Sequence, residues 1–298
     1  MAAGTIVSVR SGDSNQPVAG AAISPSGLSP EGTFSAAFST DAAGQFRLDR
    51  TVLLSSTPQL GVIAPGFLVR STILRADETT STLWPSSSPT GLDDVFSSTV
   101  VYSNATCPAV NTGQSTLRKV SAAAGTVQVS FESSLQDSTA ENAHRQAIAR
   151  LNTALGSALQ YQFTTTPGPG VSFTAGIDSN ASTCTAGPEL LRAATVLNTL
   201  SGNIVGGRLV YCSVDAARSV NLVLHELGHT FGLRHSASTS DVMYCSTGRP
   251  NLFSTRETLV MRLMGQRRSG TRWPDDDRLT SGPLTRSRQQ TEVIACGS

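Results

Sequence analysis

The histidines of this chain are the first residues whose placement suggests chemistry. There are four in 298 residues, and three of them, His225, His229 and His235, stand within HELGHTFGLRH, residues 225–235. On an α-helix His225 and His229 are four apart and share one face, so both imidazoles can present nitrogens to one metal ion. Gly232 offers the left-handed conformation that ends a helix. The chain then turns, and His235 approaches from another direction as a third ligand. Three neutral imidazoles leave one position of a tetrahedral zinc open, which is the layout of a catalytic site; a structural site takes a fourth protein ligand. Glu226 projects about a hundred degrees round the helix from His225, where it acts on a bound water rather than on the metal. Zinc lowers the pKa of such a water to about 7. Glu226 then serves as general base and hands the proton to a leaving amine. The cluster reads as one Zn2+ per chain in the service of peptide hydrolysis.

The elements that must carry these residues follow from periodicity. AARSVNLVLHELGHTF, residues 216–231, reads as the helix of the first two histidines, with Asp215 as its cap. Ser254 and Glu257 form a capping box opening a helix at 255–265. Upstream, Ala143, Ile148, Leu151, Leu155 and Leu159 recur at three- and four-residue spacings and give one apolar helix face, opened by a second box of Ser138 and Glu141. TVQVSFE, YQFTT, VSFTAG and GGRLVYCSV read as strands, and GPELLRAATVLNTL as a short helix. Mixed strands and helices without strict βαβ repetition give the class α+β. In the first part of the chain, short runs such as TIVSV, GQFRLDR, LGVIA and LVRSTILR stand between Gly, Pro, Asp and Ser clusters, the pattern of an all-β sandwich. The expected organisation is a β-sandwich over 1–95, a linker or connecting strands over 96–125, a catalytic domain over 126–268 and a C-terminal tail over 269–298. The sandwich holds no cluster of catalytic residue types, so it is expected to be dispensable for bond cleavage.

Composition bounds the partners. Formal net charge is +1, with 39% hydrophobic and 14% charged residues. That is a globular composition without the basic excess that nucleic acid calls for; the partner expected from the histidine cluster is a protein or peptide substrate. No segment reaches the ~18 apolar residues of a membrane helix. MAAGTIVSVRSGDS lacks the apolar core of a signal peptide, so the chain either stays in the cytoplasm or has lost a leader. Five cysteines leave at least one thiol unpaired. Cys212 and Cys245 flank the histidine motif and are the first pairing expected. Cys107 reads as a disulfide or inert thiol, with a latency thiol as the alternative. WPDDDR, residues 273–278, reads as a solvated acidic turn, with a calcium site as the alternative. His144 reads as a surface residue of its helix.

His225-Glu226-x-x-His229-x-x-Gly232-x-x-His235 resembles the extended zinc signature of the metzincin metallopeptidases. That family also has a methionine after the third histidine, beneath the metal, and SDVMY supplies it as Met243. The run HELGHTFGLRHSASTSDVMY is most similar to the matrixin-like branch. The resemblance implies a metzincin-like fold over about 126–265, with the strands and first helix as an upper half and the helix at 255–265 packed below. It implies Glu226 as the catalytic base, His225, His229 and His235 as metal ligands, and Gly232 and Met243 in support. Two places after the methionine, where some metzincins have a metal-approaching tyrosine, stands Cys245, and Tyr244 receives no metal role. With only His144 left outside the motif, the second, histidine-bound zinc of matrixins is expected to be absent. The run QPVAGAAI, STDAAGQFRL and LGVIAPGFLVRSTIL resembles the transthyretin-like modules attached to carboxypeptidases and many bacterial secreted proteins. Together these imply a zinc endopeptidase acting in an extracellular or periplasmic space. Two other readings stand beside it: a catalytically silent adhesion or binding protein, and a zinc amidohydrolase of small substrates.

Overall fold

The computed structural model describes residues 1–103, 116–156, 159–181, 184, 192–278 and 289–296. Strands and helices are mixed, as expected for α+β. The first part holds β1 (Ile6–Ser11), β2 (Ala22–Ser29), β3 (Gly32–Ser35), β4 (Phe38–Ser39), β5 (Gln45–Arg47), β6 (Gln59–Ile63), β7 (Arg70–Ile73) and β8 (Thr80–Leu83). They form two small sheets, β5-β1-β8 and β3-β2-β6-β7, with β4 paired to β2. Alternation along each strand sends Val7, Val9, Ile23, Leu60, Val62 and Leu83 into a shared core.

The rest of the chain builds one large sheet. Its elements are α1 (Asp94–Tyr102), β9 (Lys119–Val120), β10 (Thr126–Phe131), α2 (Ser138–Leu155), β11 (Gln160–Phe163), β12 (Val171–Ile177), β13 (Ala193–Leu200), β14 (Asn203–Tyr211), α3 (Val214–Arg218), α4 (Val220–Phe231), α5 (Thr255–Gly265) and β15 (Gln289–Cys296). The strand order is β11-β10-β12-β14-β13-β15, with β9 added to β14. The pairs β10/β11, β10/β12 and β12/β14 are parallel. β13 runs antiparallel to both neighbours. The stretch 96–125 thus holds most of α1 as well as β9, and 269–298 holds β15.

Several local expectations change. α2 is capped by Asp137, whose carboxylate accepts from the Ala140 N–H at 2.8 Å. Glu141 instead pairs outward with Arg145 at 2.7 Å, so no box forms with Ser138. The segment 216–231 is two helices. Ser213 caps α3, Asp215 lies in its first turn, and α4 starts afresh after Ser219. The box at Ser254 and Glu257 is present. ATVLNTL, read as helical, is strand β13; its Ala and Leu content carries no intrinsic β preference, and the open edge of β14 decides the conformation. His144 is fully buried, its Nε2 3.0 Å from the Tyr211 hydroxyl and its Nδ1 2.8 Å from the Ala140 carbonyl.

The two parts of the molecule share a core. Leu68, Trp84 and Leu92 pack in one cluster with Phe96, Val100, Val101 and Tyr102 of α1. Tyr102 stands between Trp84 and Trp273, with ring centroids 6.1 and 5.4 Å away. Buried Arg70 of β7 pairs with Asp275 at 3.1 Å and Asp277 at 3.5 Å, and Arg267 pairs with Asp275 at 2.7 Å. WPDDDR is therefore neither a solvated turn nor a calcium site, because two of its three carboxylates are buried and answered by arginines; Asp276 alone stays outside, paired with Arg278. The shared core argues that the chain needs its first part to fold. A chain beginning at residue 96 exposes Tyr102 and leaves Asp275 and Asp277 without Arg70. It is expected to show no cooperative unfolding transition in urea. A sharp transition of that shortened chain contradicts the shared core.

Candidate metal centre

α4 carries His225, Glu226 and His229, and all three are completely buried together with His235. The His225 Nδ1–H donates to the Val242 carbonyl and the His229 Nδ1–H to the Leu233 carbonyl, each at 2.7 Å. A carbonyl only accepts, so in both rings the proton is on Nδ1 and the lone pair on Nε2. Burial holds both imidazoles well below the usual histidine pKa, helped by Arg249 at His225 and by His235 at His229, so both are neutral. Their Nε2 atoms lie 3.1 Å apart. Neither has a proton to donate to the other, so at that distance two lone pairs face one another, an arrangement that a cation between them resolves. Two nitrogens on a tetrahedral zinc with bonds of about 2.05 Å are roughly 3.3 Å apart, close to what the rings show. His235 closes the group, its ring centroid 5.4 Å from that of His225 and 4.8 Å from that of His229. One ligand atom from each of the three lies within 4.8 Å of the others, so the trio could hold a metal ion. It is the one such group of His, Cys, Asp and Glu among the described residues, and WPDDDR does not form another.

The turn that delivers His235 depends on Gly232. Its φ of 122° is outside the range that side chains favour, and a Cβ there would collide with the Arg118 carbonyl. Its N–H closes the helix on the carbonyls of Gly228 and His229. The buried Met243 sulfur lies against Gly228, in the same turn of α4 as His225 and His229, where a Cβ would displace it.

Met243 and Val242 are held by a residue that sequence reading assigned only to a helix cap. Buried Glu257 accepts from the N–H groups of Met243 at 2.8 Å, Val242 at 3.1 Å and Ser254 at 2.8 Å. Burial pushes its pKa up to about 7 despite these bonds. The peptide unit of Val242 and its neighbours thus links Glu257 to His225. Asp241, also buried, anchors the same turn to Ser254 at 2.9 Å and Arg256 at 3.0 Å. Thr195 is a second residue that the sequence did not reveal, because it lies in the stretch read as a helix. From β13 its hydroxyl donates to Glu226 Oε2 at 2.6 Å.

The cysteines pair differently from the expectation. Cys184 is bonded to Cys212, tying the chain after β12 to the end of β14. Cys245 is also disulfide-bonded, but not to Cys212. Cys107 lies outside the described residues.

Comparison with models of known protein families finds no match, and no curated protein of similar sequence is found.

The role given to Glu257 has a direct test. Glutamine has one acceptor oxygen where the carboxylate has two, and it turns its amide toward a backbone N–H. Glu257→Gln is expected to fold but to bind zinc about 10–100-fold more weakly, as loss of an outer partner of a metal ligand does. Competition against a chromophoric chelator measures this, and unchanged affinity contradicts it.

Proposed function

We propose that the protein is a zinc-dependent endopeptidase, metzincin-like in its catalytic part and preceded by a transthyretin-like β-sandwich. The observation that carries the reading is the convergence of two neutral imidazoles on one point, with His235 beside them and a carboxylate on the next residue of the helix. The two small sheets with their own apolar core support the sandwich. Met243 packed on Gly228 supports the metzincin likeness.

Zinc held by His225, His229 and His235 supplies Lewis-acid polarisation and lowers the pKa of water. The remaining steps belong to the chain. Thr195 fixes the rotamer of Glu226 through Oε2. Glu226 takes a proton from the attacking water and delivers it to the leaving amine. The dry surroundings strengthen each of these electrostatic interactions. A silent binding protein has no use for a carboxylate oriented in this way. The substrate is a protein or peptide. Among the described residues no helix is long and apolar enough to cross a membrane.

Action outside the cytoplasm is part of the proposal, and the disulfide-bonded Cys184, Cys212 and Cys245 favour it. Two disulfides use four of the five cysteines, so thiol counting on denatured, unreduced protein from its native source is expected to find one free thiol; five argue against export. The chemistry is tested by Glu226→Ala. The variant is expected to keep one zinc per chain and to lose casein hydrolysis by at least about a thousandfold, the upper part of what general-base catalysis contributes. Casein turnover equal to that of the unmodified chain defeats the mechanism.

A further inference from the structure

The proposed chemistry sits in a site with no exposed surface at any ligand or at Glu226, and a polypeptide needs a way in. What runs beside the site is the chain's own C-terminal strand. β15 pairs antiparallel with β13 over the full length of both, from Ala193↔Cys296 to Leu200↔Gln289. Without it β13 would be the edge of the large sheet. Directly opposed residues of two strands point to the same face. Thr195, which bonds Glu226, is opposite Ile294, and Leu197 is opposite Glu292. Ile294 is buried, whereas Val293, on the other face, is 52% exposed. The side of β15 that carries Ile294 and Glu292 is therefore turned toward the catalytic helix.

Glu292 fastens the strand. Its Oε2 accepts from Arg118 Nη1 and Arg234 Nη2, each at 2.7 Å. Arg234 adjoins the ligand His235, and Arg118 supplies the carbonyl against which Gly232 turns. Arg234 is 4% exposed, and its Nη1 has no hydrogen-bond partner among the described residues. A buried guanidinium without a carboxylate is costly, so this position calls for an acidic side chain whichever strand occupies the edge.

We infer that β15 is a built-in occupant of the peptide-binding edge: latched through Glu292 to Arg118 and Arg234, it keeps the site closed, and its departure opens β13 to an extended polypeptide with an acidic residue in the place of Glu292. Addition of a strand to an exposed edge is an established mode of peptide recognition. The inference takes its catalytic meaning from the peptidase reading, but occupancy of the edge is measurable without catalysis. A strand tethered to its own site competes at millimolar effective concentration, so an added peptide gains access only when the latch is weakened.

The test uses the full zinc-loaded chain in two forms. Glu292→Arg places a third cation beside Arg118 and Arg234. Asn198→Cys with Thr291→Cys joins the two strands on the solvent side, where the native side chains are already 3.1 Å apart. The probe is a fluorescein-labelled peptide with the sequence of residues 289–295, read by anisotropy, with casein cleavage followed in parallel. Glu292→Arg is expected to bind the probe at least tenfold more tightly than the unmodified chain and to cleave casein faster. A probe with glutamine in place of the glutamate should bind at least tenfold more weakly. The oxidised cysteine pair should neither bind nor cleave, and reductant should restore it to the unmodified level. If Glu292→Arg loses its thermal transition, the isosteric Glu292→Gln takes its place. Cleavage or binding indifferent to the oxidised lock, or no gain on weakening the latch, overturns the inference. If the latch controls probe binding but no zinc-loaded form cleaves casein, the peptidase reading falls and the occupied edge stands.

Discussion

Two imidazole nitrogens lie 3.1 Å apart with their protons on the far side of each ring. Left to themselves, neutral histidines would rotate or shift a proton to share a hydrogen bond. The Val242 and Leu233 carbonyls prevent that by holding each Nδ1–H, and the burial of both rings opposes a second proton. The surrounding structure maintains this pair. Gly232 turns the chain so that Leu233 and His235 come back over the helix end, and Met243 fills the space against Gly228. Such a pre-set donor group couples metal binding to folding, because the free energy of ligation is partly used to hold the lone pairs together.

The anchoring of that arrangement extends well beyond the helix. Glu257 holds the turn that holds His225, and it belongs to the cap of α5. Arg70, from the first part of the chain, meets Asp275 and Asp277 from near the end. Buried ion pairs recover their desolvation cost only with good geometry. Their contribution here is to fix how the small sheets dock on the large one. The same logic applies to Arg234, whose buried guanidinium is answered from β15.

The three clustered histidines were legible in the sequence because their arrangement is local. Histidines four apart on one helix turn, a glycine three places further and a histidine three beyond that define directions without knowledge of the rest of the fold. The alternating strands β10, β12 and β14 and the box at Ser254 were legible for the same reason. What stayed hidden depends on distant partners. β13 has a composition that suits a helix and becomes a strand because β14 and β15 flank it. WPDDDR carries an obvious surface signature, yet Arg70 and Arg267 draw two of its carboxylates inside. His144 is buried because Tyr211 and Ala140 take up its nitrogens. Glu257 and Thr195 reach the site from elements remote in sequence. β15, within what reads as a tail, completes a sheet 89 to 103 positions from its partners in the register.

A buried histidine trio with an own-chain strand along one side, read as a peptide-cleaving site, separates two properties that are often treated together. The donor set is fixed by α4 and its turn, while access is governed by the edge of the sheet. Ligation at the donor set is the claim on which the rest stands. X-ray absorption at the zinc edge of the purified chain measures it most directly. The account predicts three imidazole nitrogens at about 2.0–2.1 Å, one light-atom ligand in addition, and no sulfur at about 2.3 Å. A zinc shell containing thiolate sulfur, or no bound zinc in protein that retains its fold, contradicts it.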